Sequence, residues 1–455
     1  MNRMLEAAPF RHLLPWQLFE KGLLIAVLLD LALGGNGYLI QIGGFRLREI
    51  FYVACLAWVA LRLLLIEPLR LDATIAGITF FFVAITALDA AIGYAGGSEP
   101  SAILAELKPL SYFPMLLFFA VSIRKRQDIS LAACILMTCG FAVGLIYLMI
   151  LLGAAAGLVD YIDVFRFLEK SDEFIFRHDP RGPFVGFLYK GAFYTCVAAI
   201  FLLFDPFRKT KLIAVIAVIA IPMTVTRGLG GALLLSLVAG AAMNRNWRRA
   251  PLLIGYAVLL AAILFIAVRS ETALLVAARD RDQAIDTRPL IVRPGDAQRM
   301  GDVGFVLDHT TLSTALVGHG LGAPIGGRNR IELTYLEIFY KQGLLGLALW
   351  AFLLAYCFVL YLRVPAGTKQ FGLAFLLSSL FVAAATASNT FMTGSIGMAV
   401  IFIAAASLLV LSRERPHPML AEDWYGIRRR DAPNAAPKDD AETPKGPLRG
   451  CRDKA

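Results

Sequence analysis

A histidine set among glycines is the residue of this sequence best suited to act as a general base. His319 lies in the run Gly318-His-Gly-Leu-Gly322. An imidazole titrates near neutral pH and can take a proton from a substrate hydroxyl, and glycines let a substrate approach the backbone closely. The alternative interpretation is a hydrogen-bonding residue of a turn. His309, which follows Asp308, has the same two interpretations in a less suggestive setting.

Arginines supply a second kind of chemistry, the binding of anions. Arg227 lies in Thr226-Arg-Gly228, between two short apolar runs. An arginine near a membrane surface is costly unless it faces a polar cavity or an anion, and its planar guanidinium suits a phosphate or pyrophosphate. The alternative is an interfacial arginine that snorkels to water. Arg177 and Arg181, in a loop with two prolines, predict a second cationic wall for an anionic substrate, or else a solvated loop.

Three more charged residues accompany His319. Arg299 precedes it and is a candidate for the same site as His319. Glu332 and Glu337 follow it on what the pattern predicts to be a short amphipathic helix, where either could orient the base or bind a sugar. A solvated helix face is the alternative for both. No spacing of cysteine and histidine suggests zinc, and neither a metal nor a cofactor is expected.

The composition indicates which elements position these residues. Of 455 residues, 58% are hydrophobic and 17% are charged, which is more apolar surface than a soluble domain can bury. We therefore predict an all-α, polytopic membrane protein, since helices satisfy their own backbone hydrogen bonds in lipid. About twelve spans that could cross roughly 30 Å of hydrocarbon are predicted near residues 18–34, 49–66, 72–92, 105–123, 129–153, 185–204, 212–226, 228–243, 251–268, 343–362, 370–387 and 394–412.

The net charge of +10 indicates orientation rather than nucleic-acid binding. Basic residues cluster at alternate ends of the predicted spans, at 124–126, 208–211, 245–249, 363–369 and 413–415. By the positive-inside rule these ends and both termini are cytoplasmic. Loops 154–184 and 269–330 then lie outside, in the periplasm if the host is a Gram-negative bacterium. The second loop is the more unusual, because it carries eight arginines and no lysine.

The chain is predicted to contain one membrane domain and a tail. Residues 1–412 form the membrane domain, and no cleavable signal peptide is apparent. Residues 413–455 are rich in proline, alanine and both signs of charge, which is typical of a disordered segment. The cysteines lie in apolar spans or in this tail, so disulfides are not expected.

Four segments, taken in order, resemble the O-antigen ligase and polysaccharide polymerase family of bacterial membrane proteins. They are Arg181-Gly-Pro-Phe, Thr226-Arg-Gly228, Val317-Gly-His-Gly-Leu-Gly322 and Tyr335-Leu-Glu-Ile-Phe-Tyr-Lys-Gln-Gly-Leu-Leu-Gly346. The sequence departs from the usual pattern at Thr226, where serine is common, and at Lys341-Gln342, where an acidic residue often precedes the glycine. It also lacks the common Asn-Pro-Asn after the first segment. These departures affect the identity of the acceptor more than the class of reaction.

The resemblance implies a membrane fold of the lipid-dependent GT-C glycosyltransferase type, with a large helical outer loop. It also implies a glycan donor on undecaprenyl pyrophosphate, used without nucleotide or metal, and an acceptor that is a glycan or lipid A core. Arg227 would lie near the donor pyrophosphate, Arg181 and Arg299 would assist, and His319 would activate the acceptor hydroxyl. Cations can stabilise a departing pyrophosphate without a covalent nucleophile, so we expect a single displacement with inversion at the anomeric carbon.

Polymerisation of repeat units of a surface polysaccharide or exopolysaccharide is the leading hypothesis. Ligation of a finished glycan to lipid A core uses the same donor, and these features do not separate the two reactions. A transporter or lipid flippase would place charged residues at mid-depth in several spans and would have a smaller outer loop. A non-catalytic scaffold for polysaccharide assembly is a further alternative. Membrane lipid is an expected partner, and nucleic acid is not.

Overall fold

The computed structural model describes residues 15–34, 40–42, 45–66, 71–155, 158, 174–176, 187–189, 191–204, 227–243, 255–256, 258–259, 262, 294–387 and 390–413. This part of the chain is dominated by helices, as the sequence predicts. The predicted outer loop 154–184, residues 269–293 of the predicted outer loop 269–330 and residues 414–455 of the predicted tail lie largely or wholly outside it.

The described helices, in chain order, are α1 (Pro15–Leu33), α2 (Leu47–Leu61), α3 (Ala73–Ala95), α4 (Pro100–Leu110), α5 (Met115–Ser122), α6 (Arg126–Ala155), α7 (Ala192–Phe204), α8 (Arg227–Met243), α9 (Pro294–His309), α10 (Leu312–Val317), α11 (Thr334–Arg363), α12 (Lys369–Thr386) and α13 (Ser395–Arg413). A π-helical turn (Arg62–Ile66) extends α2, and a 3-10 turn (Ala366–Thr368) precedes α12. Two short antiparallel ladders pair β1 (Gln41–Ile42) with β2 (Phe45–Arg46), and β3 (Phe174–Phe176) with β4 (Phe187–Tyr189).

Six helical segments among the described residues are long and apolar enough to cross a membrane, and one of them, Pro100–Ser122, comprises α4 and α5. They are Ala73–Ala95, Pro100–Ser122, Arg126–Ile150, Thr334–Arg363, Ala366–Thr386 and Ser395–Arg413. The shorter apolar helices α7 and α8 and the charge-bearing helices α1 and α2 match four further predicted spans. The predicted span 212–226 and most of 251–268 lie outside the described residues, so the total of about twelve stays a prediction.

One predicted span is broken into two helices. The sequence predicts a single span over 105–123, whereas α4 ends at Leu110 and α5 begins at Met115. Pro109 and Pro114 lie on either side of this break, and proline removes a backbone N–H and disfavours a straight helix. Phe113, between the two helices, stacks on Phe82 of α3 with a 3.5 Å centroid distance.

Buried aromatic rings and glycines pack the bundle. Every residue of α7 is buried, so this helix lies inside the bundle. Gly140 of α6 lies so close to α7 that an added Cβ would be 2.2 Å from the Tyr194 carbonyl oxygen. In lipid, helices gain stability from such close van der Waals packing rather than from removing apolar surface from water.

Charged side chains inside the bundle form ion pairs at two levels. At the first level, Arg48 at the start of α2 donates to Asp30 near the end of α1 (2.9 Å) and to the Ser395 hydroxyl at the start of α13 (3.1 Å). Arg62, directly after α2, pairs with Glu20 near the start of α1. This pair lies at the opposite ends of the two helices from Arg48 and Asp30, and so at the second level. Buried charges are costly without a partner, so these pairs allow polar residues inside an apolar bundle.

The second level lies at the end of the bundle where α13 ends. Arg413 pairs there with Asp72 at the start of α3 (2.5 Å), and Tyr356 of α11 donates to the same carboxylate (3.0 Å). Because α13 runs from Ser395 to Arg413, the two levels lie at opposite ends of the helices. We call them the loop side, which includes Arg48, and the tail side, which includes Arg413.

Candidate active site

The segment that carries His319 is a tight loop built on glycines. Residues 318–322 follow α10, and Gly318, Gly320 and Gly322 have φ of 78°, 85° and 80°. L-amino acids with side chains rarely adopt such angles. A Cβ on Gly320 would also lie 2.1 Å from the backbone nitrogen of Gly93 in α3. We call residues 318–322 the His319 loop.

A kink in α11 provides hydrogen-bond acceptors for the His319 loop. Gly343 has a φ of 65° and interrupts the helix between Thr334 and Arg363. The last carbonyl groups before such an interruption lose their helical partners. Two of these carbonyls accept hydrogen bonds from the loop, Tyr340 from the His319 N–H (2.8 Å) and Lys341 from the Gly320 N–H (2.9 Å).

Two other helices hold the far end of the loop. The Leu321 N–H donates to the carbonyl of Asp89 near the end of α3 (2.9 Å), and the Gly322 N–H donates to Oε2 of Glu106 in α4 (2.8 Å). α3 begins on the tail side at Asp72, so these contacts place the His319 loop on the loop side of the bundle. The loop therefore ties α3, α4 and α11 together at one end.

The side chain of His319 is held in one orientation. Its ring stacks on Tyr340 with a centroid distance of 4.2 Å and an interplanar angle of 22°. Burial lowers the pKa of His319; its hydrogen bond to the backbone of His309 raises it, and the charge of the His309 ring lowers it further. The lowered pKa leaves the imidazole neutral at neutral pH, as a general base requires.

One ring nitrogen of His319 has no hydrogen-bond partner in the described part of the chain. This nitrogen, Nε2, is buried and makes no hydrogen bond among the described residues. In the neutral tautomer that carries its proton on Nδ1, Nε2 has a free lone pair. Nε2 is therefore the candidate proton acceptor, and the groups covering it must move before a substrate can reach it.

A small hydrophobic cluster supports this region from the outside. Val306 of α9, Ile325 and Ile331 are buried together with Tyr340. The His309 ring stacks on Phe305 at 4.0 Å. This cluster fixes the end of α9, and hence the His309 carbonyl that orients His319.

Three of the predicted site residues lie near this loop but have protein partners. Arg299 of α9 pairs with Glu332 at 2.5 Å, and both side chains are partly or largely exposed. Glu337 of α11 accepts from Lys341 (3.2 Å) and from the Ile331 N–H (3.4 Å). Glu332 was expected on a helix, whereas α11 begins two residues later at Thr334, so only Glu337 lies on the helix.

The remaining predicted site residues are the arginines of the donor half. Arg227 is the first residue of α8, and its side chain lies outside the described part of the chain. An added Cβ on Gly240, near the other end of α8, would lie 2.2 Å from Phe204 at the end of α7. Arg227 lies about 20 Å earlier along the helix axis, toward the end at which α7 begins. Arg177 and Arg181 lie outside the described residues.

Sequence reasoning missed two charged residues that contact the loop. Glu106 lies in the predicted span 105–123 and is 3% exposed, and Lys341 of α11 is also 3% exposed. The signal was present in the sequence, because an ionisable residue within an apolar span is rare and usually has a partner or a function. The partner of Glu106 is Lys341, 235 positions away in the chain, and only the fold shows that the two side chains meet.

The chain is similar to an O-antigen polymerase from Shigella flexneri. The two are 24% identical over 322 residues, which cover 70% of this chain and 76% of the relative. This similarity supports an assignment to the O-antigen polymerase and ligase type of family. No family model matches the chain, and no solved structure matches it.

Proposed function

We propose that this multi-pass membrane protein transfers a glycan from an undecaprenyl-pyrophosphate carrier to an acceptor hydroxyl, and that it polymerises repeat units of a surface polysaccharide or exopolysaccharide. The observation that carries the proposal is the similarity to an O-antigen polymerase over most of the chain. The long apolar helical segments among the described residues suit a substrate with a lipid anchor. The reaction would take place on the outer face of the bacterial inner membrane, with both termini in the cytoplasm.

The proposed chemistry is a single displacement. An acceptor hydroxyl oxygen attacks the anomeric carbon of the donor, the bond from that carbon to the pyrophosphate oxygen breaks, and the pyrophosphate keeps the electron pair. Nε2 of His319 takes the hydroxyl proton. Inversion at the anomeric carbon follows from the single attack. The lowered pKa of His319 and its Nε2, which has no partner among the described residues, support this role.

The developing charge on the pyrophosphate would be stabilised by arginines, without a metal or a cofactor. Arg227, Arg181 and Arg177 are the proposed donor-binding residues. Arg299 is a weaker candidate because Glu332 already pairs with it. Glu332 is then proposed to modulate Arg299 rather than to bind the sugar directly.

Deletion of the gene in its host tests the proposal. In a deletion strain, single repeat units accumulating on the lipid carrier would support a polymerase. Full-length chains left on the carrier would identify the protein as a ligase instead, and unchanged glycans would contradict both. Complementation with wild type, Arg227→Ala and His319→Ala then tests the site at equal expression.

Two matched variants serve as controls. His309→Ala removes the neighbouring imidazole but keeps the backbone carbonyl that His319 uses, so it should complement while His319→Ala should not. Arg227→Lys keeps the charge and loses the planar fork, and should restore only part of the activity. Full complementation by Arg227→Ala would show that the pyrophosphate site lies elsewhere.

A further inference from the structure

A buried ion cluster lies directly beneath the His319 loop. Lys341 Nζ is 2.5 Å from Oε1 of Glu106 and 3.2 Å from Oε1 of Glu337, and it also donates to the carbonyl of Asn329. Both Glu106 and Lys341 are 3% exposed. We call Glu106, Glu337 and Lys341 the Lys341 cluster.

The cluster contacts the loop directly. Oε2 of Glu106 accepts from the Gly322 N–H (2.8 Å), and the Lys341 carbonyl accepts from the Gly320 N–H (2.9 Å). An added Cβ on Gly318 would lie 2.1 Å from the same carbonyl. The Lys341 carbonyl therefore contacts the glycines on both sides of His319, and Glu106 holds the loop at Gly322, three residues further on.

Stability alone is a weak reason for such a cluster. Removing charges from water costs about as much as their mutual attraction returns, and apolar side chains of similar volume often serve as well. What an apolar residue cannot supply is the acceptor for the Gly322 N–H. The specific contribution of Glu106 is thus the geometry of the loop.

We propose that Glu106 and Lys341 are positioning residues that hold His319 in the orientation needed for glycan transfer. This inference rests on the proposed function. Neither side chain contacts His319 itself in the described contacts, so both act through the loop backbone. Glu106 comes from α4 and Lys341 from α11, so the pair also fixes the separation of these two helices beneath the loop.

Two nearly isosteric variants of Glu106 separate the hydrogen bond from the charge. Glu106→Gln keeps an acceptor for the Gly322 N–H, whereas Glu106→Met removes it. A displacement of about 1 Å in a reacting group can cost roughly 100-fold in rate. We expect Glu106→Met to lower kcat by about that factor with KM for the donor little changed, and Glu106→Gln to lose roughly ten-fold or less. The assay uses the purified full chain in lipid nanodiscs and lipid-linked repeat units from the deletion strain.

A second buried glutamate provides the matched control. Glu20 pairs with Arg62 and accepts from Trp58 Nε1 (3.2 Å) at the other end of the bundle. Glu20→Met should lower thermal stability as Glu106→Met does, yet leave kcat of the folded fraction unchanged. Equal losses of kcat in the two methionine variants would overturn the positioning role, because they would reflect general destabilisation.

A readout independent of activity completes the test. Diethyl pyrocarbonate modifies accessible neutral imidazoles, and mass spectrometry gives the rate at each histidine. In Glu106→Met the rate at His319 should rise while that at His309 stays constant. An unchanged rate at His319 overturns the inference, whatever the activity. If His319→Ala is inactive and Glu106→Met retains full kcat, the inference fails while the proposed function stands.

Discussion

At the scale of single residues, the surroundings of His319 lower its pKa below the ordinary value of a histidine. Burial lowers its pKa, and the hydrogen bond to the His309 backbone opposes that shift only in part. In the proposed role, a histidine with a lowered pKa would accept a proton from a substrate over a wider range of pH than a free imidazole does.

The lowered pKa predicts the pH dependence of transfer. The basic form of His319 persists below the ordinary pKa of 6.5, so the acid limb of kcat/KM should have its midpoint below 6.5. The unfolded chain binds more protons than the folded chain in that window, so stability also rises with pH there. Measuring kcat/KM from about pH 5 to about pH 8, a range that spans the ordinary histidine pKa of about 6.5, checks the position of this midpoint.

The variant His319→Gln is the control for this profile. It should lower kcat by about 100-fold to 10,000-fold and lose the acid limb. An acid limb that remains in His319→Gln would assign the titration to another group.

The sequence identifies His319 as a candidate base, but it does not identify the residues that contact His319 or its loop. The glycines around His319 and the chemistry of an imidazole are visible in the sequence. The stacking on Tyr340 and the kink of α11 at Gly343, 24 positions after His319, are seen only in the fold. Glu106 was part of an apolar stretch, and only the fold shows that it accepts from the Gly322 N–H.

At the scale of elements, the site depends on the close approach of a loop to helix ends. Gly93 of α3 and Gly320 of the His319 loop touch through their backbones: an added Cβ on Gly93 would lie 2.0 Å from the Leu321 carbonyl oxygen. Gly343 meets the Leu316 carbonyl in the same way at 2.3 Å. Three segments far apart in sequence thus meet through glycines.

Gly320→Ala is predicted to disable the protein, because its Cβ would collide with backbone as well as strain a φ of 85°. Gly327→Ala isolates the strain, since Gly327 has a φ of 79° with no atom within 4 Å of an added Cβ. Strain alone costs of order 1 kcal/mol, so Gly327→Ala should retain most activity. Complementation and thermal melting of both variants measure the difference, and equal effects would contradict the close approach.

The helices themselves follow from the sequence more readily than their breaks. Apolar runs predict α3, α6, α11, α12 and α13 well. The break between α4 and α5 was missed because the apolar pattern continues through this region. The helix is interrupted there because Pro109 and Pro114 lack the backbone N–H groups that a continuous helix needs. The start of α11 after Glu332 was missed because helix ends depend on local contacts.

At the scale of the whole molecule, charges mark the two ends of the bundle. The loop side includes the His319 loop, Glu106 and Arg48, and the tail side includes Asp72 and Arg413. Paired charges near helix ends differ from the mid-depth charges expected of a transporter. The basic residues Arg363 and Arg413, predicted to be cytoplasmic, end α11 and α13 on the tail side.

This arrangement predicts the accessibility of engineered cysteines. In a variant without its six cysteines, Asn329→Cys on the loop side should react with a membrane-impermeant maleimide added to intact spheroplasts. Ala366→Cys, in the turn between α11 and α12, should react only after the membrane is opened. If Ala366→Cys were labelled in intact spheroplasts and Asn329→Cys were not, the orientation of the protein in the membrane would be the reverse of the one predicted.

The overall composition predicts a membrane protein, and the distribution of basic residues predicts its orientation. Both predictions use properties summed over many residues and do not need the positions of individual side chains. They do not show where the proposed donor-binding arginines lie relative to His319. Arg227 begins α8 toward the end where α7 begins, but the distance from its side chain to His319 depends on how the helices pack, which no local pattern encodes.

Reconstituted transfer tests the central proposal most directly. Purified wild-type protein in liposomes, supplied only with lipid-linked repeat units from the deletion strain, should produce a ladder of lipid-linked oligomers, and His319→Ala should produce none. A wild-type protein that leaves single repeat units unchanged, while restoring polymer synthesis to the deletion strain, would contradict the assignment of glycan transfer to this chain.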